Sequence, residues 1–349
     1  MADKKFKFDV VIGNPPYQEK STGEGTQAPP IYHKFMEEAY KIAGRVSFIT
    51  PARFLYNAGA TPKAWNTKML KDKHLKVTYF EKDSSKVFPN TDIKGGVAVT
   101  YRDSESDFGA IGTFTTYPEL KSILSRVKEL NVRNRSFSSI IPGQEINKYT
   151  DKLHEDYPDV KSKLSKNHEY DIKTSAFDRL DFIFLDEMPE DGYSYVQFLG
   201  YQKNRRVYKW VRRDYISAHE SLEKYKVFIP KTSGSGAFGE TLSSPLIGLP
   251  MIATTQTFLT IGAFDTSDEA EAVLKYICTK FVRALLGVLK VTQHITSPKW
   301  KFVPLRNFSS ASDIDWTKTV SDIDRQLYKK YGLDEAEIEF IETHVKEMA

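Results

Sequence analysis

The chain has 349 residues, enough for a sizeable core and for two domains, with 50 Lys and Arg against 46 Asp and Glu, a net charge of +4. So small a charge excludes attraction of an acidic partner by the whole-protein field, and any such partner has to be met by a local cluster of Lys and Arg. The single cysteine, Cys278, excludes an internal disulfide and fits a reducing compartment, no apolar run approaches the roughly 20 residues of a bilayer span, and Met1–Lys5 leads into a strand rather than a signal peptide, so the sequence reads as cytoplasmic.

The first expected strand is Phe8–Gly13, which runs into Asn14-Pro15-Pro16-Tyr17. A polar loop from Gln18 to Pro30 follows, rich in Gly, Ser, Thr and Gln, and is expected to order on a ligand. Tyr32, Phe35, Met36, Ala39, Tyr40 and Ile42 fall at helical spacing, with Gly44 as the C-terminal cap. Arg45–Thr50 predicts a short buried strand stopped by Pro51, Lys63–Lys73 a helix and Leu75–Glu81 a strand. Val87-Phe88-Pro89-Asn90 then turns into an apolar run, Ile93–Tyr101, that ends the sheet. Strands interleaved with helices predict an α/β fold, its sheet mostly parallel and covered on both faces. Such sheets bind ligands at the carboxyl ends of their strands, where the tetrapeptide falls.

Ser104–Gly112 reads as a linker between an expected first domain, residues 1–115, and a second, residues 116–349, with a helix at Pro118–Leu130. Between Tyr201 and Lys231, basic residues alternate with aromatics. Lys203, Arg205, Arg206, Lys209, Arg212, Arg213 and Lys231 are the candidate DNA contacts, with Lys224 and Lys226 beside them, because Lys and Arg neutralise phosphates while Arg and aromatic faces reach bases. The alternative is a solvated sheet face with its aromatics turned inward. Thr292-Gln293-His294 and Lys299-Trp300-Lys301 either add contacts or are loop residues.

Gly234–Gly239 formally fits the glycine pattern of dinucleotide sites. Glu240–Pro250, with two prolines and two serines, is no helix able to offer its amino end, so the segment reads instead as a flexible loop approaching the DNA backbone. His33, His154 and His294 make no metal-ligand spacing with Cys278, and no metal is expected. Asp268–Leu289 predicts a core helix and Asp334–Met348 a terminal amphipathic helix.

The chemistry lies in Asn14-Pro15-Pro16-Tyr17. An exocyclic amine is a poor nucleophile because its lone pair is delocalised into the ring. Acceptors on its two hydrogens, the Asn14 side-chain oxygen and the Pro15 carbonyl, favour a pyramidal nitrogen whose lone pair points at a methyl donor; proton loss can follow transfer, so no strong base is needed. Pro15 and Pro16 fix the backbone so that the carbonyl cannot swing away. Tyr17 offers a face to a base pulled from the duplex. The plainer reading is a turn closing a strand.

The Asp-x-x-x-x-Asn-Pro-Pro-Tyr block from Asp9 to Tyr17 resembles the catalytic motif of N6-adenine DNA methyltransferases, in particular those of single-chain restriction-modification enzymes with a gamma-like motif order. Val46–Pro51 resembles the family's next strand, and Val87-Phe88-Pro89 with Gly95-Gly96-Val97 the segment whose aromatic clamps the flipped base. From Asn131 onward the chain is similar to the target-recognition region, with Phe302–Leu305, Asp313–Trp316 and Ile323–Tyr328 adding to the match. The resemblance implies the C-terminal half of a Rossmann-like methyltransferase sheet followed by an α+β target-recognition domain. It further implies double-stranded DNA as partner, S-adenosyl-L-methionine as cofactor, Asn14, Pro15, Pro16 and Tyr17 as catalytic residues, and Tyr17 with Phe88 as the sandwich around the base. Phe88 as a core residue is the alternative.

In this family the cofactor half normally precedes the tetrapeptide. Nothing before Asp9 supplies its glycine-rich loop or its ribose-binding acid, so the chain is expected to be a fragment or split subunit that binds cofactor only with an upstream complementing half. Its first strand, with Val10 and Ile12, would then present an unpaired edge. Two other readings stay open: a methyltransferase for a protein glutamine or an RNA amine, which has little use for so long a downstream region, and a DNA-recognition module without catalysis.

Overall fold

The structure is a computed structural model that describes residues 6–19, 28–131, 135–143 and 145–348. Met1–Lys5 and residues 20–27, most of the loop expected to order on a ligand, lie outside the described residues. The chain forms two compact units, Met1–Lys121 and Ser122–Ala349.

The first unit holds four strands, β1 (Phe8–Gly13), β2 (Ala43–Pro51), β3 (Leu75–Glu81) and β4 (Val97–Asp103), in the spatial order β1-β2-β4-β3. β1 and β2 pair in parallel, Val11 opposite Val46, because helix α1 (Tyr32–Ile42) carries the chain back across the sheet. Helix α2 (Lys63–Lys71) does the same before β3. β4 reverses direction and slots antiparallel between β2 and β3, Ile49 facing Val99 on one side and Phe80 facing Ala98 on the other. The expected mostly parallel sheet is therefore mixed, with one parallel pairing, and β4 fills its middle instead of ending it. The cause is the connection, residues 82–96, which holds no helix beyond a 3-10 turn at Ser84–Lys86 and so doubles back rather than crossing a face.

Two local expectations also change. Gly44 caps no helix: α1 passes directly into β2 through Ala43, which is extended while its N–H still donates to the Ala39 carbonyl. Ser104–Gly112 is no linker. The N–H groups of Ser104, Phe108 and Gly112 donate to the carbonyls of Gly44 (3.0 Å), Lys73 (2.7 Å) and Leu70 (2.8 Å), and Ile111 and Phe114 pack on the core.

α1 and α2 cover one face of the sheet, where Met36, Ala39, Trp65 and Met69 meet Val46, Phe48 and Ala98. Strand alternation turns Phe8, Val10 and Ile12 to the other face, and they are 47%, 50% and 76% exposed. Among the described residues the sheet is thus not covered on both faces, and β1 is an edge strand.

The second unit begins within α3 (Pro118–Leu130) and continues through β5 (Lys148–Tyr149), the short helices α4 (Asp151–Asp156), α5 (Val160–Lys163) and α6 (Ala176–Arg179), and strands β6 (Tyr195–Gln202), β7 (Arg205–Arg212) and β8 (Ile216–Ser217). It then runs through β9 (Tyr225–Pro230), β10 (Leu246–Gly248), β11 (Ile252–Thr254) and β12 (Phe258–Phe264) into helices α7 (Ser267–Cys278), α8 (Lys280–Gly287), α9 (Val320–Tyr331) and α10 (Glu335–His344). Its strands form sheets β11-β6-β7 and β10-β9-β12 and a β5-β8 pair. Phe177, Phe184, Val196, Phe198 and Val211 are central to one of its cores.

The single helix expected over Asp268–Leu289 is two. Thr279 leaves the helical conformation, donating its hydroxyl to the Tyr276 carbonyl at 2.7 Å and accepting the Val282 N–H at 3.3 Å. The Asp324 carboxylate, from α9, accepts the Lys280 and Phe281 N–H groups, both at 2.9 Å, and so completes the cap of α8. No helix among the described residues is long and apolar enough to cross a membrane.

Candidate active site

Because β4 runs against β1, β2 and β3, the sheet edge where those three end is also where β4 begins, and Val97 faces both Pro51 and Glu81. Three segments follow from that edge: Asn14–Tyr17 after β1, the 3-10 turn Ala52–Tyr56 after β2, and residues 82–96 before β4. The tetrapeptide sits where sheets of this kind carry their ligands.

Within it Pro15 is buried, Asn14 and Pro16 are exposed and Tyr17 is half-buried. The Tyr17 carbonyl accepts the Ile31 N–H at 3.0 Å, which ties the returning loop to the ring's backbone. The Pro15 carbonyl accepts from no described residue although Pro15 itself is buried, and Asn14 is exposed with its side chain beside the Tyr17 hydroxyl. Burial pushes the Tyr17 phenol up, with the nearby Asn14 side chain opposing, and its buried hydroxyl has no partner of good geometry. The ring therefore stays neutral, as a stacking face should.

Tyr17 and Phe88, far apart in sequence, are brought together with centroids 6.5 Å apart and planes at 67°. A base stacked between two rings needs about 7 Å between them, two van der Waals contacts of ~3.5 Å, and parallel faces. At 67° an edge of Phe88 points at the Tyr17 face, so the two rings contact each other and leave no base-wide gap; a sandwich requires Phe88 to turn and move outward. Phe88 sits in a turn, its N–H donating to the Ser84 carbonyl at 2.8 Å and its carbonyl accepting the Thr91 hydroxyl at 2.7 Å. Gly96 lets this segment enter β4 hard against β3: at φ +78° a Cβ there would lie 2.3 Å from the Glu81 carbonyl oxygen.

Beside Tyr17 opens a cavity of about 340 Å³ with Tyr32, Arg53, Thr61 and Lys94 in its wall; Asn14 and Phe88 do not line it. Burial pushes the Tyr32 phenol up to about 12. Sequence reasoning missed Arg53. Its signal was its place two residues past Pro51, beyond the carboxyl end of β2.

In the second unit the structure sorts the seven candidate DNA contacts. Lys203 and Arg205 are exposed at the β6–β7 turn, where Lys203 and Asn204 both take positive φ. Lys231 is half-buried and its ammonium has no ion-pair partner among the described residues. The others are engaged. Lys209 is 7% exposed and paired with Asp186. Arg212 bonds Asp214 and lies 3.6 Å and 4.4 Å from the Tyr193 and Tyr215 ring centroids. Arg206 donates to the Ser244 carbonyl at 2.8 Å, and Arg213 to the Ile216 carbonyl at 2.6 Å. Lys226 is 1% exposed, its ammonium bound to three carbonyls, and burial lowers it to about 8. Trp300 is likewise in the core. Under the DNA-binding role proposed below, replacing Lys203 and Arg205 by glutamine is expected to lower the salt slope by about 1 each, whereas Lys209→Met leaves the slope unchanged and lowers stability. Titrations at stepped salt concentrations check this.

The glycine pattern at Gly234–Gly239 is closed by its own chain. The Ser235 and Gly236 N–H groups each donate to the Glu240 carboxylate at 2.8 Å, and Lys290 pairs with it from behind. The concavity such amides form for an anion is thus filled by the chain's own carboxylate, and these two amides are not open to a phosphate. Burial raises the Glu240 carboxyl, but Lys290 and the two amides outweigh it and the net shift is downward.

A second grouping absent from sequence reasoning is Glu145, His168 and Asp171, at metal-binding range of one another. The Lys148 ammonium already bonds Asp171 and Glu145, and His168 Nδ1 lies 2.6 Å from Asp171. A lysine takes the cation's place.

Residues 2–88 match the family model described as Eco57I restriction-modification methylase. Over 95 residues, 26% of this chain, the sequence is 35% identical to a protein of Mycoplasma pneumoniae (strain ATCC 29342 / M129 / Subtype 1) named "Uncharacterized adenine-specific methylase". Among solved structures, the type IIG restriction endonuclease BpuSI aligns at 9% identity over 97% of this chain, with a TM-score of 0.32. The type IIL restriction-modification enzyme MmeI, solved in complex with DNA, aligns at 9% identity over 96%, with a TM-score of 0.39. The aligned stretch spans 22% of the curated relative and 54% and 56% of the two solved chains.

Proposed function

We propose that this chain is the amine-acceptor part of a DNA adenine N6-methyltransferase of a restriction-modification system, with its second unit reading the DNA. The observation that carries the reading is Asn14–Tyr17 at the carboxyl end of β1 with Phe88 brought against Tyr17. The family match over residues 2–88 and the adenine-specific name of the 35% identical relative support it.

In this reading an adenine leaves the duplex and stacks on Tyr17, with Phe88 turning onto its other face. The Asn14 side-chain oxygen and the Pro15 carbonyl accept its two amino hydrogens and hold the nitrogen pyramidal. Of the seven candidates, Lys203, Arg205 and Lys231 have no ion-pair partner among the described residues and are the ones to meet phosphate.

The residues described do not fit a whole site for S-adenosyl-L-methionine. The one glycine loop of suitable pattern has its amides committed to Glu240. We assign the cofactor to a complementing half that pairs with the free edge of β1 and covers Phe8, Val10 and Ile12, whose exposure leaves room for it.

Phe88 provides the test. Stacking on an aromatic contributes about 1–3 kcal/mol per base, so Phe88→Ala is expected to weaken binding of a single-stranded oligonucleotide carrying one 2-aminopurine by roughly 5- to 150-fold at unchanged melting temperature. Lost stability with intact binding makes Phe88 a core residue and removes the sandwich.

A further inference from the structure

The cavity beside Tyr17 has a cation that no described residue neutralises. Arg53, on the turn after β2, donates its Nε to the Lys94 carbonyl at 2.5 Å, and no carboxylate among the described residues lies within ion-pair reach of it. Lys94 and Asp92, both in the same wall and both largely exposed, pair with each other at 2.5 Å. The Arg53 stem is wedged. A Cβ on Gly95, which has φ +89°, would lie 2.8 Å from Arg53 Cγ, and one on Gly59 would lie 3.2 Å from Arg53 Cβ. These two glycines allow the stem to lie where larger residues would displace it, and the Nε bond restrains its twist, so the two Nη groups are held without a partner among the described residues.

A pre-positioned guanidinium without a counter-ion among the described residues, beside the ring proposed to stack a base, matches one chemistry above others. Its planar fork fits two oxygens of a phosphate. A nucleotide swung out of a duplex brings its flanking phosphates with it, and a cavity of about 340 Å³ lies within the range of small-ligand pockets. The base's amino edge is already met by Asn14 and Pro15 in the reading above, on which this step rests. We propose that Arg53 binds a phosphate flanking the extruded adenosine, so that the cavity beside Tyr17 is the seat of the nucleotide's sugar-phosphate.

The test compares 2'-deoxyadenosine with 2'-deoxyadenosine 3',5'-bisphosphate on the full chain by ligand-observed NMR titration. The wild type is expected to bind the bisphosphate about tenfold more tightly, the scale of a charge-assisted hydrogen bond. Arg53→Gln should erase that increment while keeping the affinity for deoxyadenosine, which itself reports an intact site, and Arg53→Lys should keep part of it. An increment that survives Arg53→Gln overturns the assignment, as does an equal loss for both ligands, which would make Arg53 only a brace for the Lys94 loop. No Tyr17-dependent binding of deoxyadenosine by the wild type removes the proposed function and this inference with it.

Discussion

Asn14→Ala is expected to lower methyl transfer to DNA by about 10²- to 10³-fold in an assembly that includes the complementing cofactor half, while DNA affinity falls only by the roughly fivefold of one lost hydrogen bond. The amide oxygen touches only the reacting amine in the proposed geometry, and the loss of one preoriented group facing a developing charge has effects of this size. Asn14 is exposed, and nothing in the core rests on it. The variant should therefore fold as the wild type does. Tritium transfer from labelled S-adenosyl-L-methionine, followed by digestion to nucleosides, reads both the rate and the product, which should be N6-methyl-2'-deoxyadenosine. An Asn14→Ala enzyme of unchanged rate would leave the tetrapeptide as a turn.

Lys290→Met is expected to destabilise the second unit by about 3–5 kcal/mol, because it leaves the Glu240 carboxylate largely shut from water without its cation. The side chains of Lys290 and Glu240 are only 4% and 14% exposed. Removing both partners, in a Glu240→Gln/Lys290→Met variant, should cost clearly less than Lys290→Met alone. Urea unfolding followed by tryptophan fluorescence checks this, since Trp210, Trp300 and Trp316 all belong to this unit. The pH dependence has a definite sign. Glu240 is held below its ordinary value when folded, so the stability it contributes is complete above the unfolded value of about 4.3 and is lost as pH falls through the depressed folded one. The gap between wild type and Lys290→Met should therefore narrow in acid.

What could be read from the chain alone was what is local. Strands Phe8–Gly13 and Leu75–Glu81 and helix Pro118–Leu130 have the ends that their apolar spacing and flanking residues imply. The tetrapeptide stands out for the same reason: its prolines and its strand sit within ten residues or so of one another. The direction of β4 was not legible, because Val97–Asp103 has the same apolar run whichever way it points. The helix-poor connection before it decides. The break at Thr279 depends on Asp324, a carboxylate from another helix that reaches back to cap α8. The basic segment misled in part because Lys209 and Arg212 look free in sequence, while Asp186 and Asp214 take them up in the fold. The glycine loop at Gly234–Gly239 fits an anion site, and the anion proves to be the very next residue.

Whether Asn14 and Pro15 grip an exocyclic amine is measured, without any cofactor, by the binding of nucleosides to the full chain. Deoxyadenosine should bind several-fold more tightly than purine 2'-deoxyriboside, which lacks the amino group, the difference being that of one or two hydrogen bonds at about 1 kcal/mol each. Asn14→Ala should shrink that preference while leaving purine deoxyriboside binding as it was. Equal affinity of the wild type for the two nucleosides, or a preference untouched by Asn14→Ala, would contradict such a grip.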